Sequence, residues 1–245
     1  MFNVNNIVNN IGDIMKHLLL CLLLPLTAFA QFDFSADLVS RYVWRGLDFG
    51  QSPAFQPDIN FEKSGVSFGA WGSYALDASP SAQAGNELDF YIGYSEEIMD
   101  GHSIGATVID YTFPVSGANS DGSNQYTDIT DFSEGGSHTI EVSAFYEGMV
   151  NLAYAINVYN DDYATNYLRL GYPITSTSAT DLEVFVGGTL NESPAYGTTG
   201  AAVTEVGLGM SKDVKINDQL SLGTSATLVF NPVTDQGHFF VGVGF

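Results

Sequence analysis

From Phe32 to Arg45 the chain alternates without a break. Even positions read Phe32, Phe34, Ala36, Leu38, Ser40, Tyr42 and Trp44; odd positions read Asp33, Ser35, Asp37, Val39, Arg41, Val43 and Arg45. A two-residue period puts successive side chains on opposite faces of a strand, here one apolar and one polar. The run is about twice the usual strand length of roughly 5–6 residues. It suits a tilted strand that crosses a bilayer, which needs about 9–11.

The pattern recurs to the end of the chain. Phe55, Pro57, Ile59 and Phe61 alternate with Gln56, Asp58, Asn60 and Glu62, and Leu88, Phe90, Ile92 and Tyr94 with Glu87, Asp89 and Gly93. Further runs start near 66, 103, 140, 152, 168, 182, 206, 220 and 239. The reading predicts an all-β, antiparallel transmembrane β-barrel of about 12 strands. Single-chain bacterial barrels have even strand numbers, with short turns at one end and long loops at the other. Long connections are predicted at about 46–54, 78–86, 114–136 and 191–202, and tight ones at 63–65 and 147–149.

Periodicity alone does not tell inside from outside, and a soluble β-sandwich would alternate in the same way. Composition favours the membrane. Only 14% of residues are charged, against about 25% in soluble domains. Polar faces are rich in Gly, Ser and Thr, and aromatic residues sit near the ends of the apolar faces: Phe32, Tyr42, Trp44, Phe55, Phe61, Tyr74, Tyr94, Tyr172 and Phe230. Such residues form the girdles of barrels at the two membrane interfaces. Phe245 falls within the last strand, where it resembles the terminal signal read by outer-membrane assembly machinery.

The N-terminus reads as a processing segment. Met15-Lys16-His17 precedes the apolar run 18–24, and Ala28-Phe29-Ala30 makes an Ala-x-Ala cleavage site before Gln31. Residues 1–30 are therefore predicted to be a signal peptide, with translation starting at Met15, and residues 31–245 the barrel. Cys21, the one cysteine, would be removed, which leaves neither a disulfide nor a thiol nucleophile. The net charge of −21 argues against nucleic acid as a partner.

With the apolar faces toward lipid, the lumen receives Asp33, Asp37, Asp58, Glu62, Glu87, Asp89, Glu141, Glu183 and Glu205. Arg41, Arg45 and Arg169 stand against them, and Trp71, Tyr91, Phe185 and Phe240 also point in. Buried charges must be paired or solvated. The arrangement is either a salt-bridge network that braces and plugs the barrel or a charged constriction around a water path. Catalysis is not expected. The one Gly-x-Ser-x-Gly, Gly65-Val66-Ser67-Phe68-Gly69, falls where a tight turn enters a predicted strand and not at a strand-to-helix elbow, and His102, His138 and His238 read as solvated rim residues. The acidic loop residues Asp121, Asp128, Asp131 and Glu134, and Asp161-Asp162 after Asn160, lack EF-hand spacing and read as solvated. No cofactor or metal is predicted.

The stretch 38–46, Leu-Val-Ser-Arg-Tyr-Val-Trp-Arg-Gly, resembles the opening motif of the TorF-family porins, also called the Gcw-chp family, which often read S-D-Y-V-F-R-G there. The likeness continues through Pro53-Ala54-Phe55-Gln56-Pro57, Gly69-Ala70-Trp71-Gly72-Ser73, 87–94, 111–114 and 166–171. Arg41 departs from it, standing where the family usually has an acidic residue. The resemblance implies a bacterial outer-membrane barrel of channel function and supplies no substrate and no catalytic residue. Two functions stay open. One is a channel passing small polar or cationic solutes through a narrow acidic lumen. The other is a structural or adhesive barrel with an occluded lumen that acts through its loops. Expected partners are outer-membrane lipid, the barrel-assembly machinery and small solutes or ions, with a homo-oligomer left open.

Overall fold

The computed structural model describes residues 32–174, 180–218 and 220–245. The predicted signal peptide, with Met15, Cys21 and the Ala30–Gln31 junction, lies outside the described residues.

Twelve antiparallel strands close into a barrel. They are β1 (Phe32–Val39), β2 (Ala54–Lys63), β3 (Val66–Ala75), β4 (Glu87–Met99), β5 (His102–Thr112) and β6 (His138–Glu147). The second half comprises β7 (Asn151–Tyr159), β8 (Asn166–Ile174), β9 (Asp181–Thr189), β10 (Ala202–Asn217), β11 (Leu220–Asn231) and β12 (Gln236–Gly244). Each strand pairs with its neighbours in sequence, and β12 returns to β1, with Leu38 opposite Val243. Closure matters because an unpaired backbone group in hydrocarbon has no water to bond.

The alternation settles inside from outside. Phe239, Val241 and Val243 on β12, Leu208 and Met210 on β10, and Phe90 and Ile92 on β4 are all exposed on the outer surface, Phe239 by 66%. Among the described residues the buried set is mainly polar or charged, including Glu87, Asp89, Glu141, Glu205 and Asn231. A soluble barrel would show the reverse. This is the inverted distribution of an outer-membrane β-barrel. Phe55, Tyr74, Tyr94, Tyr172 and Phe230 lie on the outer face as predicted.

The connections are also asymmetric. Those at one end, which we term the loop end, include 40–53, 76–86 with a short helix α1 (Pro80–Gln83), 113–137 and 190–201. Those at the turn end include the tight Ser64-Gly65 and Asp100-Gly101. In the longest loop, Asp121, Asp128 and Asp131 each accept bonds from the backbone N–H and hydroxyl of the residue two positions on. These carboxylates cap their own turns.

Two histidines differ from the expected solvated rim. His138 is 2% exposed. Phe132 of the folded-over long loop stacks on its ring, Nδ1 lies 2.9 Å from the Asp110 carboxylate, and Nε2 lies 3.0 Å from the Ile129 carbonyl oxygen. The sequence does not show that the loop returns to cover its own strand. His238 is likewise buried, on the inward face opposite Val229.

Candidate functional site: a hairpin across the lumen

The largest departure from the predicted strands is at the end of β1. The sequence alternates on to Arg45, but the wall strand ends at Val39. Beyond Ser40, which bonds to Val241 at 2.8 Å, the chain turns inward. Val43 pairs with Asp48 and Trp44 with Leu47, making a two-residue hairpin inside the barrel. Its turn residues, Arg45 and Gly46, have φ of 50° and 81°. A type I′ turn needs positive φ at both central positions. Arg in that region costs about 1 kcal/mol, so other contacts must hold it there.

Those contacts cross the lumen. The Arg45 guanidinium donates in bidentate fashion to Glu141 on β6, at 2.7 and 2.8 Å, and at 3.0 Å to the Tyr196 hydroxyl. It also lies 4.1 Å from the centre of the Trp44 ring and 4.4 Å from that of Tyr167. Bidentate charged bonds and aromatic faces are among the strongest side-chain contacts for Arg. Tyr111 donates to the same Glu141 carboxylate at 3.0 Å, and Tyr167 donates to Glu205. Burial pushes the Tyr196 phenol up to about 12, against the pull of the adjacent Arg45 charge. It therefore stays protonated at neutral pH.

Gly46 is wedged against the opposite wall. Its carbonyl accepts from Asn231 on β11 at 3.0 Å, and a Cβ there would lie 2.2 Å from the Thr204 carbonyl oxygen on β10. The base of the hairpin is also fixed: Tyr42 donates to Glu87 at 2.7 Å and packs on Trp71. Tyr42 and Trp44 are therefore lumenal and do not belong to the lipid girdle. The reason is local: two left-handed residues reverse the chain just where the alternation would have carried it up the wall.

The hairpin divides the lumen. On its loop-end side is a vestibule of about 550 Å³, walled by Leu47, Phe49, Phe113, Asp161 and Tyr163 among others. A second cavity of about 540 Å³ is walled by Glu141, Arg169, Glu183, Phe185, Glu205 and Phe240. Trp44, Arg45 and Tyr111 border both. A third cavity, of about 510 Å³ and lined by Asp37, Asp181, Lys212 and Asp213, opens at the turn end.

The Gcw-chp family, described as a bacterial protein of unknown function, matches residues 27–225. The chain belongs to the Gcw-chp family. No curated protein matches it. Among solved structures it is similar to OprD of Pseudomonas aeruginosa, at 12% identity over 88% of this chain and 66% of that one, with a TM-score of 0.38. It is also similar to a mutant porin of Rh. blastica, at 14% identity over 78% and 55% of the two chains, with a TM-score of 0.37. Neither likeness is close enough to bear on the lumen.

In this Gcw-chp barrel the predicted site residues divide into three groups. Arg45 and Glu141 meet at the hairpin, and beside them Arg169 binds Glu183 at 2.5 Å and approaches Glu205 at 3.7 Å. Asp58 and Asp89 face the lumen on the other side of the hairpin, where Tyr91 donates to Asp58 at 3.0 Å. Asp37 lines the turn-end cavity. Arg41 does not join the lumen wall: it pairs with Asp48 within the loop, at 2.8 Å, and is partly exposed. Phe245 is 64% exposed on the outer face, and its backbone bonds both ways with Ala36. Sequence reading missed Tyr111, Tyr167 and Tyr196. Only Tyr196 carries a local signal, a Ser-Pro-x-Tyr-Gly turn in which Gly197 has φ of 67°.

Proposed function

We propose that the chain is an outer-membrane channel for small polar and cationic solutes, narrowed by the hairpin at Trp44–Arg45. The observation that carries this reading is the series of cavities along the lumen, two of which share Trp44, Arg45 and Tyr111 as their boundary. The lumen carries more carboxylates than cations. Arg45 and Arg169 are each engaged by a carboxylate, while Asp37 and Asp58 add negative charge along the path. Carboxylate rings favour cations, and a low-dielectric wall screens them less than open water does. The resemblance to TorF-family porins supports the same reading, and we place the barrel in the bacterial outer membrane with no catalytic role.

A second reading rests on the same hairpin. Its bonds to Glu141, Asn231 and Glu87 could equally keep the lumen shut, leaving the loops as the working surface. Conductance of the purified protein in planar bilayers separates the two. We expect small cation-selective conductance, with the reversal potential under a KCl gradient lying on the K⁺ side. Anion selectivity would overturn the charge argument, and a silent barrel would favour the occluded reading.

A further inference from the structure

Between the hairpin and the β2–β5 wall lies another cavity, of about 400 Å³. Five aromatic rings face it, from Tyr42, Trp44, Trp71, Tyr91 and Tyr111, together with the carboxylates of Asp58 and Asp89. Aromatic faces beside carboxylates attract cations by charge and by the ring quadrupole. The lumen already uses this combination twice. Arg45 lies over Trp44 and Tyr167 with Glu141 as its carboxylate, and Arg169 lies 4.4 Å from the centre of the Phe185 ring with Glu183 as its carboxylate. In this third place the rings and carboxylates are present, but no Lys or Arg is among the described residues that line the cavity.

Asp89 adds an independent sign. Its side chain is 6% exposed, and its Oδ1 is buried without a hydrogen-bond partner. A buried carboxylate oxygen without a donor is unfavourable. Its neighbour Glu87 is bonded to Tyr42 and hydrogen-bonds with the Asp89 side chain, yet Oδ1 is left without a partner. A small turn about the Cβ–Cγ bond presents the Asp89 carboxylate to the cavity, since that torsion is soft.

We propose that this cavity is a binding site for a small organic cation that carries N–H donors, a primary ammonium or a guanidinium. The unpartnered oxygen calls for a donor, which a quaternary ammonium lacks. Walls that are mostly aromatic suit neither Ca²⁺ nor Mg²⁺, which take several oxygen ligands. The site goes beyond the channel reading and does not depend on transport, because occupancy is measured directly.

The chain supplies its own reporter. Both of its tryptophans, Trp44 and Trp71, wall the cavity. Detergent-solubilised full-length protein is titrated with n-butylammonium chloride at constant ionic strength, and tryptophan emission is followed. We expect a saturable change that n-butyramide, a neutral analogue, does not produce and that needs at least tenfold more tetramethylammonium. Asp89→Asn should weaken the response tenfold or more, with the far-ultraviolet β-sheet signal checking that the variant folds. If it does not fold, the comparison of the three ligands on the native chain still decides. Equal responses to n-butylammonium and n-butyramide, or a folded Asp89→Asn that responds as the native chain does, would overturn the site. Equal potency of tetramethylammonium would overturn the requirement for an N–H donor. Occupancy in a barrel that conducts nothing would uphold the site while removing the channel.

Discussion

At the scale of single residues, Arg45 has more roles than its charge suggests. It sits in a left-handed turn position, neutralises Glu141 and lies over two aromatic rings. Arg45→Ala removes a cation from the boundary between two cavities and also leaves Glu141 without its guanidinium. Cation preference should therefore rise, seen as a larger reversal potential under a KCl gradient; an unchanged potential would mean that ions do not pass Arg45. Gly46→Ala tests the wedge. A Cβ at φ 81° and 2.2 Å from the Thr204 carbonyl oxygen forces the hairpin tip off the wall. The hairpin should lose more than about 1 kcal/mol of docking stability, read as increased open-channel noise at unchanged barrel content. Within the wall strands the sequence reveals which residues share a face, and composition tells which face is inward; Tyr42, Trp44 and Arg41, beyond the end of β1, escape that rule. The sequence does not reveal which inward residues meet. Arg45 and Glu141 are 96 positions apart, and no local pattern links them.

At the scale of elements, all twelve wall strands were legible as runs, because alternate residues cross a sharp polarity step; only the fifth, about 103–113, left its register open. The hairpin was not legible. Ser40 to Trp44 happen to continue the alternation of β1, so the period gives no sign that the chain has left the wall. The sign lay in Arg45-Gly46, a positive-φ pair of the kind that closes two-residue hairpins. Mid-wall parity can be tested on β10. Leu208 faces outward and is 43% exposed, while Gly209 lines the inner cavity with room for a side chain. Leu208→Arg should destabilise the barrel in lipid by about 2–4 kcal/mol. Gly209→Arg, opposite Glu183, should fold normally and instead change conductance. Comparable losses in a urea titration of both variants would refute the register.

At the scale of the whole molecule, the barrel is completed where β12 meets β1. Phe245 contributes two backbone hydrogen bonds to that seam, with Ala36 at 2.9 and 3.1 Å, and its ring lies on the outer surface. Removing Phe245 should slow assembly in cells more than it lowers the stability of barrel already formed. Pulse-chase folding set beside thermal unfolding measures the two, and normal assembly of the shortened chain would argue against the role. The lumenal hairpin matters at this scale too. A hollow cylinder yields most easily by flattening into an ellipse. Here Tyr42 is tied to β4, Arg45 to β6 and Gly46 to β10 and β11, so the loop acts as a set of struts between walls that would otherwise move independently. Lateral pressure from the surrounding bilayer would then be borne across the bore as well as around its circumference, and the cross-section should stay nearly round when the membrane thickens or thins.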